Sequence, residues 1–436
     1  MRLLNDSPTA RWTVLFIVAT AMMMGYFVND VMSPLETLLE MPRSEGGLGW
    51  TPANYGFFSG AGSFINVFLL MLFFSGIILD KMGVRFTGTL SCSLMVIGTL
   101  IKFYAVSAPL SGEIFSLPMS VVVASLGFAI FGVGYEMTGI TVSKAMVRWF
   151  TGHELALAMG IQLAMARMGT AAALSISAPI ARHFTLSAPL LLALGLLIVG
   201  LIAFLVFCVM DRKLDGKQDM VTSSDEEFRW SDIGTTLRSS GFWIITLFCV
   251  LFYSAVSPFL KFSTKLMAMK YGVDADLAGV FSSIAPFGTI LLTPLFGYVY
   301  DRYGRGVTLI ITGSLLLSAV HFAFSLPLHN SSMAILPMVM LGIGYALAPA
   351  ALWPCVPKII PMKCLGTAYS MIFFIQNFGR AIIPVFIGRA NEQDPTYTTS
   401  MLIFGFTALG ATMVAVAMLV IDRYKGYGLQ QPNIKK

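Results

Sequence analysis

Residues Gly132–Gly169 read GVGYEMTGITVSKAMVRWFTGHELALAMGIQLAMARMG, and this stretch decides the fold. We interpret it as two apolar helices joined by a short basic turn over residues 144–154. Each helix carries one charge, Glu136 or Arg167, roughly a dozen residues (~18–20 Å) from the turn. In a hydrocarbon core about 30 Å thick, both charges would lie near the middle. Ionised side chains at that depth are costly, so they normally face a polar cavity or a partner.

Two interpretations of this charge pair are open. A structural pair would only pin the two helices together. A functional pair would meet a substrate, and transporters place their substrate sites near the bilayer midplane. We favour the functional interpretation because both charges lie at that depth.

The composition indicates a polytopic helical membrane protein. The chain has 436 residues, of which 56% are hydrophobic and only 11% charged, and its mean hydropathy is +0.79. A soluble protein carries about 25% charged residues. Apolar stretches of membrane-spanning length recur along the chain, at 12–24, 57–78, 187–210 and 401–421. The first has no signal-peptidase-like site after it, so we expect it to be a retained span.

The net charge of +6 reflects membrane topology and does not indicate a nucleic-acid partner. Most bases fall in segments that would share one side of the membrane: Arg2, Arg11, Lys81–Arg85, Lys144–Arg148, Arg212–Arg238, Arg302–Arg305, Lys358–Lys363, Arg423, Lys425, Lys435 and Lys436. The opposite side carries few, at Arg43, Arg182, Lys270 and Arg389. This positive-inside pattern predicts that both termini are cytoplasmic.

The five cysteines and four histidines show no metal-ligand spacing. The chain also lacks a nucleophile-and-base constellation, so we expect no enzymatic activity, no metal and no cofactor, with proton coupling left open. The partners we expect are the lipid bilayer and a small-molecule substrate, with the protein acting as a monomer.

The order of the apolar segments predicts an all-α membrane protein with twelve transmembrane helices. Six spans lie near 12–33, 54–77, 86–107, 117–143, 155–181 and 187–210. Six more lie near 241–269, 277–299, 306–326, 332–357, 365–389 and 398–421. We therefore expect a six-helix bundle over 1–210, a charged cytoplasmic linker over 211–240 and a second six-helix bundle over 241–436.

The two halves repeat each other. The turn Gly76, Asp80, Lys81, Gly83, Arg85 returns as Gly297, Asp301, Arg302, Gly304, Arg305. An acid, a base, a glycine and a second base suit a tight cytoplasmic turn, whose acid can meet a basic partner in one conformation and release it in another. We interpret both turns as conformational gating elements, although one copy alone would be an ordinary charged turn.

A second repeat aligns the halves at an offset of 210. Gly132-Val-Gly134-Tyr135 matches Gly342-Ile-Gly344-Tyr345, and Arg167 then corresponds to Asn377. The first half keeps the charge pair and the second offers neutral hydrogen-bonding groups, so we expect a site of uneven charge for an oriented polar substrate. Parallel six-helix repeats with a midplane site are the architecture of major facilitator transporters.

Two longer runs resemble the lysosomal dipeptide transporter family of the major facilitator superfamily. The first runs from Glu136 through Trp149-Phe150, Gln162 and Arg167 to Gly169. The second contains Ala351-Leu352-Trp353-Pro354, Leu365-Gly366-Thr367-Ala368-Tyr369 and Gln376-Asn377. Tyr26, Asp30, Pro34 and Pro258-Phe259 extend the resemblance over most of the chain.

The resemblance implies a carrier that moves dipeptides by alternating access. In the family the acid matching Glu136 meets the peptide amino group, and the base matching Arg167 meets the carboxylate. The chemistry agrees, because a guanidinium can bind both carboxylate oxygens. We expect Gln376 and Asn377 to meet the peptide amide and Trp353 to wall a side-chain pocket, with plain packing as the alternative for Trp353. Candidate contacts from the same runs are Gln162, Tyr26 and Asp30.

Two bases depart from the family pattern. Arg380 replaces an apolar residue, and Lys261 replaces a small one. Together with Arg167 they set three bases against two acids, Glu136 and Asp30, which would favour acidic dipeptides or related fragments if both extra bases face the cavity.

Three classes of protein therefore remain. The first is a carrier of dipeptides or small zwitterions. The second is a carrier or antiporter of organic anions such as dicarboxylates. The third is a receptor or scaffold that transports nothing, for which no sequence feature speaks.

Localisation and energy coupling are less constrained. About a dozen residues precede the first span, and Leu3-Leu4 lacks the acidic lead of a lysosomal sorting signal. We therefore expect a plasma (cell inner) membrane, of a bacterial cell. Desolvated Glu136 or Asp30 would couple transport to protons, whereas a Glu136 held ionised by Arg167 would leave a facilitator.

Overall fold

The protein is almost entirely helical. The computed structural model describes residues 7–150, 154–215, 234, 236–360 and 365–432, apart from a few side chains such as that of Asp80. Its helices are α1 Pro8–Asp30, α2 Glu36–Glu40, α3 Pro52–Ala61, α4 Phe64–Phe68, α5 Met71–Ser107, α6 Met119–Phe150, α7 Leu155–His183, α8 Ala188–Asp215, α9 Ser240–Met269, α10 Ala278–Tyr303, α11 Gly306–Ser325, α12 Ser332–Ile359, α13 Leu365–Gln393 and α14 Thr398–Lys425. A two-residue hairpin, β1 Glu113–Ile114 with β2 Leu117–Pro118, precedes α6.

Eleven helical segments of the described chain are long and apolar enough to cross a membrane. Helix α6 runs to Phe150, so residues 144–150 of the expected basic turn are helical. The segments otherwise match the expected spans to within about seven residues at their ends, with one exception. The expected continuous span over 54–77 is broken into α3, α4 and the start of α5. The chain leaves the helix at Gly62–Ser63 and again near Leu70, which has a positive φ of 55°.

The break over 62–63 has a local cause. Residues 60–62 read Gly-Ala-Gly, and glycine disfavours a helix interior by about 1 kcal/mol. The main chain of α6 also approaches this point so closely that a Cβ on Gly132 would overlap the carbonyl oxygen of Gly62. Asn66 then donates from Nδ2 to the carbonyl oxygen of Gly132 at 3.0 Å. The interrupted helix is thus fixed to α6 by main-chain contact and a side-chain hydrogen bond.

The chain forms two compact units. The first comprises residues 1–50 and 61–227, and the second comprises residues 51–60 and 228–436. In the first unit α1 packs on α7 and α8, and α5 packs along α6. In the second, α9 packs on α13 and α14, and α11 packs along α12. The two units thus use the same pattern of neighbours.

The repeated Gly-x-Gly sequences are points of close helix packing in each unit. A Cβ on Gly134 would overlap the carbonyl oxygen of Ser91 in α5. In the second unit a Cβ on Gly344 would lie only 2.8 Å from the carbonyl oxygen of Gly313 in α11. Small residues allow membrane helices to approach at such distances. The repeat therefore has a packing role in both halves.

The helix α3 belongs to the second unit although it lies early in the sequence. Gly56 of α3 rests on Gly388 of α13, where a Cβ would lie 2.8 Å from the Gly388 Cα. Tyr55 donates its hydroxyl to the carbonyl oxygen of Lys261 at 3.0 Å and contacts the ring of Phe262. Residues 51–60 are therefore an integral part of the second unit.

The two repeated turns are tight, and the expected linker needs a correction. Within the expected turn Gly76–Arg85 the one non-helical residue is Gly83 (φ 78°, ψ 171°), at which two helices, given together as α5, meet in a kink. Its counterpart Gly304 also has a positive φ, of 73°, between α10 and α11. The expected linker over 211–240 begins inside a helix, because α8 continues to Asp215. Asp211 is buried there, whereas residues 216–233 lie outside the described chain.

Candidate functional site

The two expected charges of the first unit lie at matching depths. Glu136 is 14 residues before the end of α6 at Phe150, and Arg167 is 12 residues after the start of α7 at Leu155. At 1.5 Å per residue these distances are about 21 Å and 18 Å. Both side chains are half-buried, while their neighbours Met137 and Ala166 are fully buried. The helices thus place an acid and a base at one level, each with part of its side chain open.

Asp30, at the end of α1, is held in place from both sides. Thr170 of α7 donates its hydroxyl to Oδ2 at 2.8 Å, and Asn29 donates from Nδ2 to Oδ1 at 2.9 Å. Both carboxylate oxygens therefore accept a hydrogen bond. The structure brings Asp30 next to α7, which also carries Arg167.

Tyr26 contacts Tyr135, the aromatic residue of the first Gly-x-Gly repeat. Its ring centroid lies 5.0 Å from that of Tyr135, which in turn stacks on Phe131 at 5.9 Å. Tyr135 adjoins Glu136 in α6, so this column of rings runs beside the acid. Aromatic pairs at these separations contribute about 1 kcal/mol beyond their buried area.

Gln162 is 3% exposed and donates from Nε2 to the sulfur of Met22 at 3.3 Å. Its Oε1 has no hydrogen-bond partner among the described residues. A buried acceptor without a donor is unfavourable by about 1–3 kcal/mol. The Gln162 amide is therefore a group that a bound donor, such as an ammonium or a peptide N–H, would satisfy.

Lys102 is a further intramembrane base that our sequence analysis missed. It lies in α5, is 1% exposed and donates to the carbonyl oxygen of Val28 at 3.3 Å. Its ammonium lies over the rings of Phe128 and Phe131, at 4.7 and 4.5 Å from their centroids. Such cation–π contacts contribute about 2 kcal/mol when desolvated. The signal was available in the sequence, because Lys102 interrupts the apolar run 86–107.

The second unit places Trp353 in an aromatic cluster. Its ring centroid lies 5.1 Å from Phe373 and 5.9 Å from Tyr369, both in α13, and 6.3 Å from Tyr253 in α9. Trp353 remains half-buried. Sequence analysis did not assign the three partners to the site, although the spacing of Tyr369 and Phe373 puts them on one helix face.

The expected polar groups of α13 lie one turn along from this cluster. Asn377 donates from Nδ2 to the carbonyl oxygen of Phe373 at 2.9 Å. Gln376 is 7% exposed, and its Oε1 has no hydrogen-bond partner among the described residues. Arg380, one turn further, is half-buried. The structure therefore brings Trp353, Asn377 and Gln376 together around Phe373.

Lys261 lies at a different level of the second unit. It is eight residues before the end of α9 at Met269, so it is about 12 Å from that end. Its side chain is half-buried, and its carbonyl oxygen accepts the Tyr55 hydroxyl.

Arg85 of the expected gating turn belongs to a cluster in which Asp211 of α8 contacts residues of two further helices. Asp211 of α8 accepts from Nε1 of Trp149 at 3.0 Å and lies 3.3 Å from Nε of Arg148 and 3.8 Å from Nη1 of Arg85. The sequence predicts that Asp80 of the turn meets a basic partner, and the side chain of Asp80 lies outside the described part of the structure. The remaining turn residues lie where the sequence places them, with Gly76 and Lys81 in α5 and Gly297, Asp301 and Arg302 in the last turns of α10.

Among the described residues no group of three His, Cys, Asp or Glu side chains lies close enough to hold one metal ion. The charged and polar groups described above can instead recognise an oriented small molecule by charge and hydrogen bonding. A helical membrane fold with such groups at mid-span defines a solute transporter.

Comparison with known proteins agrees. The chain matches the model of the Major Facilitator Superfamily over residues 15–384, and it belongs to that superfamily. It is similar to the lysosomal dipeptide transporter MFSD1 of Bos taurus, with 28% identity over 84% of this chain and 78% of the relative. The human MFSD1 is 26% identical over 83% of this chain and 77% of the relative. These relatives are transporters and not enzymes.

Solved structures show the same fold. A POT family transporter in complex with a thioalcohol-conjugated peptide superposes with a TM-score of 0.71 at 18% identity, covering 94% of this chain and 96% of that one. A D-xylose–proton symporter superposes with a TM-score of 0.70 at 12% identity, covering 93% and 97%. The expected major facilitator fold is therefore confirmed.

Proposed function

We propose that this protein transports dipeptides or similar small zwitterionic peptides by alternating access, with Glu136 meeting the amino group and Arg167 the carboxylate. The observation that carries the proposal is the position of these two side chains. Both are half-buried at similar depths on α6 and α7, in a stretch that resembles the dipeptide transporters. The similarity to MFSD1 over most of the chain supports the same substrate class.

The chemistry of a dipeptide suits these groups. A zwitterion needs an anion and a cation several ångströms apart, with amide partners between them. A guanidinium binds a carboxylate through two parallel hydrogen bonds, and a carboxylate accepts charge-assisted bonds from an ammonium. The free Oε1 of Gln162 is an acceptor for an N–H of the bound peptide. We assign Tyr26 and Asp30 to the same site because they lie beside Tyr135 and α7.

In the second unit we assign Gln376 and Asn377 to hydrogen bonds with the substrate, and the Trp353 cluster to its side chains. The cluster presents apolar ring faces next to the amides, which is the usual composition of a pocket for small organic molecules. If the half-buried Arg380 and Lys261 both face the substrate, their positive charge favours acidic side chains in it.

The first experiment measures the melting temperature of the detergent-purified protein with dipeptides, single amino acids and dicarboxylates. A ligand that binds only the folded protein raises the melting temperature by mass action. We expect dipeptides to raise it, and Arg167→Ala to abolish the shift. Arg182→Ala is the matched control, because Arg182 lies in the exposed last turn of the same helix. Shifts that appear only with dicarboxylates would contradict the proposal.

An organic-anion carrier or antiporter is the second candidate. The half-buried bases Arg167, Lys261 and Arg380 favour it, and the buried Lys102 adds a further positive charge. Glu136→Gln separates the two candidates, because an anion carrier does not need the acid. Loss of dipeptide binding in this variant, with the protein still folded, supports the dipeptide carrier. If the unmodified protein binds anions but no dipeptide, and Glu136→Gln still binds the anions, the alternative is supported.

We propose a plasma (cell inner) membrane as the location. The distribution of Lys and Arg supports an orientation with both termini in the cytoplasm. Coupling is tested in reconstituted vesicles, where an imposed pH gradient accelerates uptake by a proton symporter and leaves a uniporter unchanged.

A further inference from the structure

We propose that the last described residues, Tyr427–Pro432, form a reversible latch that locks the α10–α11 turn of the second unit. We call these residues the tail segment. They lie in a cradle that α10, α11, α12 and α14 build together. The cradle residues are Tyr300, Gly304, Arg305, Thr308, Lys358 and Asp422.

The cradle binds the tail segment mainly through backbone groups of the tail segment. Asp422 accepts from the amide of Leu429 at 3.0 Å, and Tyr300 donates to the carbonyl oxygen of Leu429 at 3.2 Å. The amide of Arg305 donates to the carbonyl oxygen of Gln430 at 2.7 Å. Lys358 donates to the carbonyl oxygens of Gly428 and Gln431, at 3.3 and 2.8 Å. One acid, one base, one tyrosine hydroxyl and one turn amide thus converge on four consecutive peptide units.

Two side chains of the tail segment fix its register. Leu429 is 0% exposed, and its main chain lies so close to α11 that a Cβ on Gly306 would lie 2.7 Å from the Leu429 carbonyl oxygen. Gln430 exchanges hydrogen bonds with Thr308, from Nε2 to Oγ1 at 2.8 Å and from the Thr308 amide to Oε1 at 3.4 Å. One apolar anchor with paired polar groups around it is the pattern of a peptide-binding site.

At the matching place of the first unit, the described residues form an ion pair. Arg148 and Lys358 correspond at the repeat offset of 210, and Asp211 and Asp422 both lie near the ends of the last helices of their units. In the first unit Arg148 lies 3.3 Å from Asp211 directly. In the second unit the acid and the base both bind the tail segment. The tail segment therefore occupies the place of an ion pair.

This arrangement gives the second unit two alternative states. Asp422 and Asp301 already lie close enough to Lys358 for their charges to act on it. When the tail segment leaves, Lys358 can pair with an acid, as Arg148 pairs with Asp211 in the first unit. Release therefore does not leave the Lys358 ammonium without a counter-charge. A locked and a released state of comparable free energy are what a switch needs.

The attachment of the tail segment also suits release. It joins α14 through Gly426, and both Gly426 (φ 69°) and Gly428 (φ 74°) adopt a conformation that only glycine takes easily. Leu429 is its single fully buried apolar side chain, so few apolar contacts oppose opening. The element that the tail segment locks is the turn Gly304–Arg305. This turn belongs to the sequence repeat that we interpret as a conformational gating element.

The test compares a chain that ends at Gly426 with a control chain that ends at Pro432 and keeps the whole tail segment. Hydrogen exchange of the amides over 304–308 is the first readout. We expect exchange about tenfold faster without the tail segment, because the Arg305 amide loses its acceptor. Adding the synthetic peptide Tyr427–Pro432 restores protection, whereas the same peptide with L429D does not.

The second readout is alkylation of Cys355, which is buried and whose sulfur lies 3.3 Å from the Tyr300 hydroxyl of the cradle. In a background with the other four cysteines replaced by serine, we expect faster alkylation by N-ethylmaleimide in the shorter chain. If the shorter chain does not fold, Leu429→Ala in the full chain gives the same comparison. Unchanged exchange and alkylation, or protection that the peptide does not restore, would overturn the proposal.

Discussion

The hydroxyl of Thr170 donates to Oδ2 of Asp30 at 2.8 Å and ties α7 to the end of α1. Removing the donor takes one hydrogen bond from a buried acceptor, which is unfavourable. The contact also fixes α7 about one turn from Arg167, because Thr170 follows Arg167 by three positions in the same helix.

Thr170→Val tests this contact. The change keeps the side-chain shape and removes the donor, so we expect a loss of about 1 kcal/mol of stability, within the range measured for membrane hydrogen bonds. Thr141→Val is the matched control, because Thr141 donates only to the carbonyl oxygen of Met137 in its own helix. Melting temperatures of both variants measure the effect, and equal values would contradict the role of Asp30.

Gly132→Ala tests the close approach of α6 to the broken helix. A Cβ here would overlap the carbonyl oxygen of Gly62, which is backbone and cannot rotate away. We expect a loss of about 3 kcal/mol or failure to fold. Gly139→Ala in the same helix meets nothing within 4 Å, so it should be neutral or slightly stabilising. Similar yields and melting temperatures for the two variants would refute the close contact.

Asp211→Asn tests the charge network of the first unit. Trp149 keeps an acceptor, but the charges of Arg148 and Arg85 lose their counter-charge. The two arginines are partly exposed, so we expect a loss of only about 1 kcal/mol. Asp211→Ala also removes the acceptor of a buried indole N–H and should cost about 1–3 kcal/mol more. The exposed Glu113→Gln is the control, and a flat series of melting temperatures would argue against the network.

Asp394→Asn tests a pH-dependent contribution to stability. Burial alone would raise the pKa of the Asp394 carboxyl, but hydrogen bonds from Thr396 and Thr399 outweigh it and lower the pKa from 3.8 to about 2. The amide of Thr399, in the first turn of α14, donates to Oδ2 at 2.7 Å. Because the folded pKa is the lower one, this stabilisation is complete above about pH 4 and is lost as the pH falls towards 2.

The expected result is a lower melting temperature for Asp394→Asn at neutral pH, with a difference from the unmodified protein that shrinks below about pH 4. Glu392→Gln, two residues away on an exposed position, controls for loss of a negative charge. A difference that stays constant from pH 7 to 3 would show that the carboxylate is not the stabilising group.

The sequence predicted the fold well because membrane burial leaves a strong apolar signal. It also predicted the repeat, since Gly134 and Gly344 mark close packing that each unit needs. It failed at 54–77 because hydropathy measures apolar character and not helicity. The Gly60-Ala-Gly62 break depends on how closely α6 approaches, and only the packed structure reveals that distance.

The candidate site was predictable only in part. Glu136 and Arg167 stand out because a charge in an apolar span is rare. Lys102 is equally unusual, but its partners are a carbonyl oxygen and two rings, which have no sequence signature. The tail segment was missed for a similar reason, because its cradle binds peptide groups that every residue carries. The substrate roles of Glu136, Arg167 and their partners stay predictions until binding is measured.

The position of α3 has a consequence for cutting the chain in two. A break introduced within 216–233 would separate the sequence halves, but residues 51–60 would travel with the N-terminal fragment although they pack in the second unit. The C-terminal fragment alone would then expose the face of α13 around Gly388, where the main chain of Gly56 normally excludes any side chain. When the two fragments are co-expressed, residues 51–60 of the N-terminal fragment can therefore bind the C-terminal fragment at α13. We expect reassembly of the split chain to require glycine at position 56.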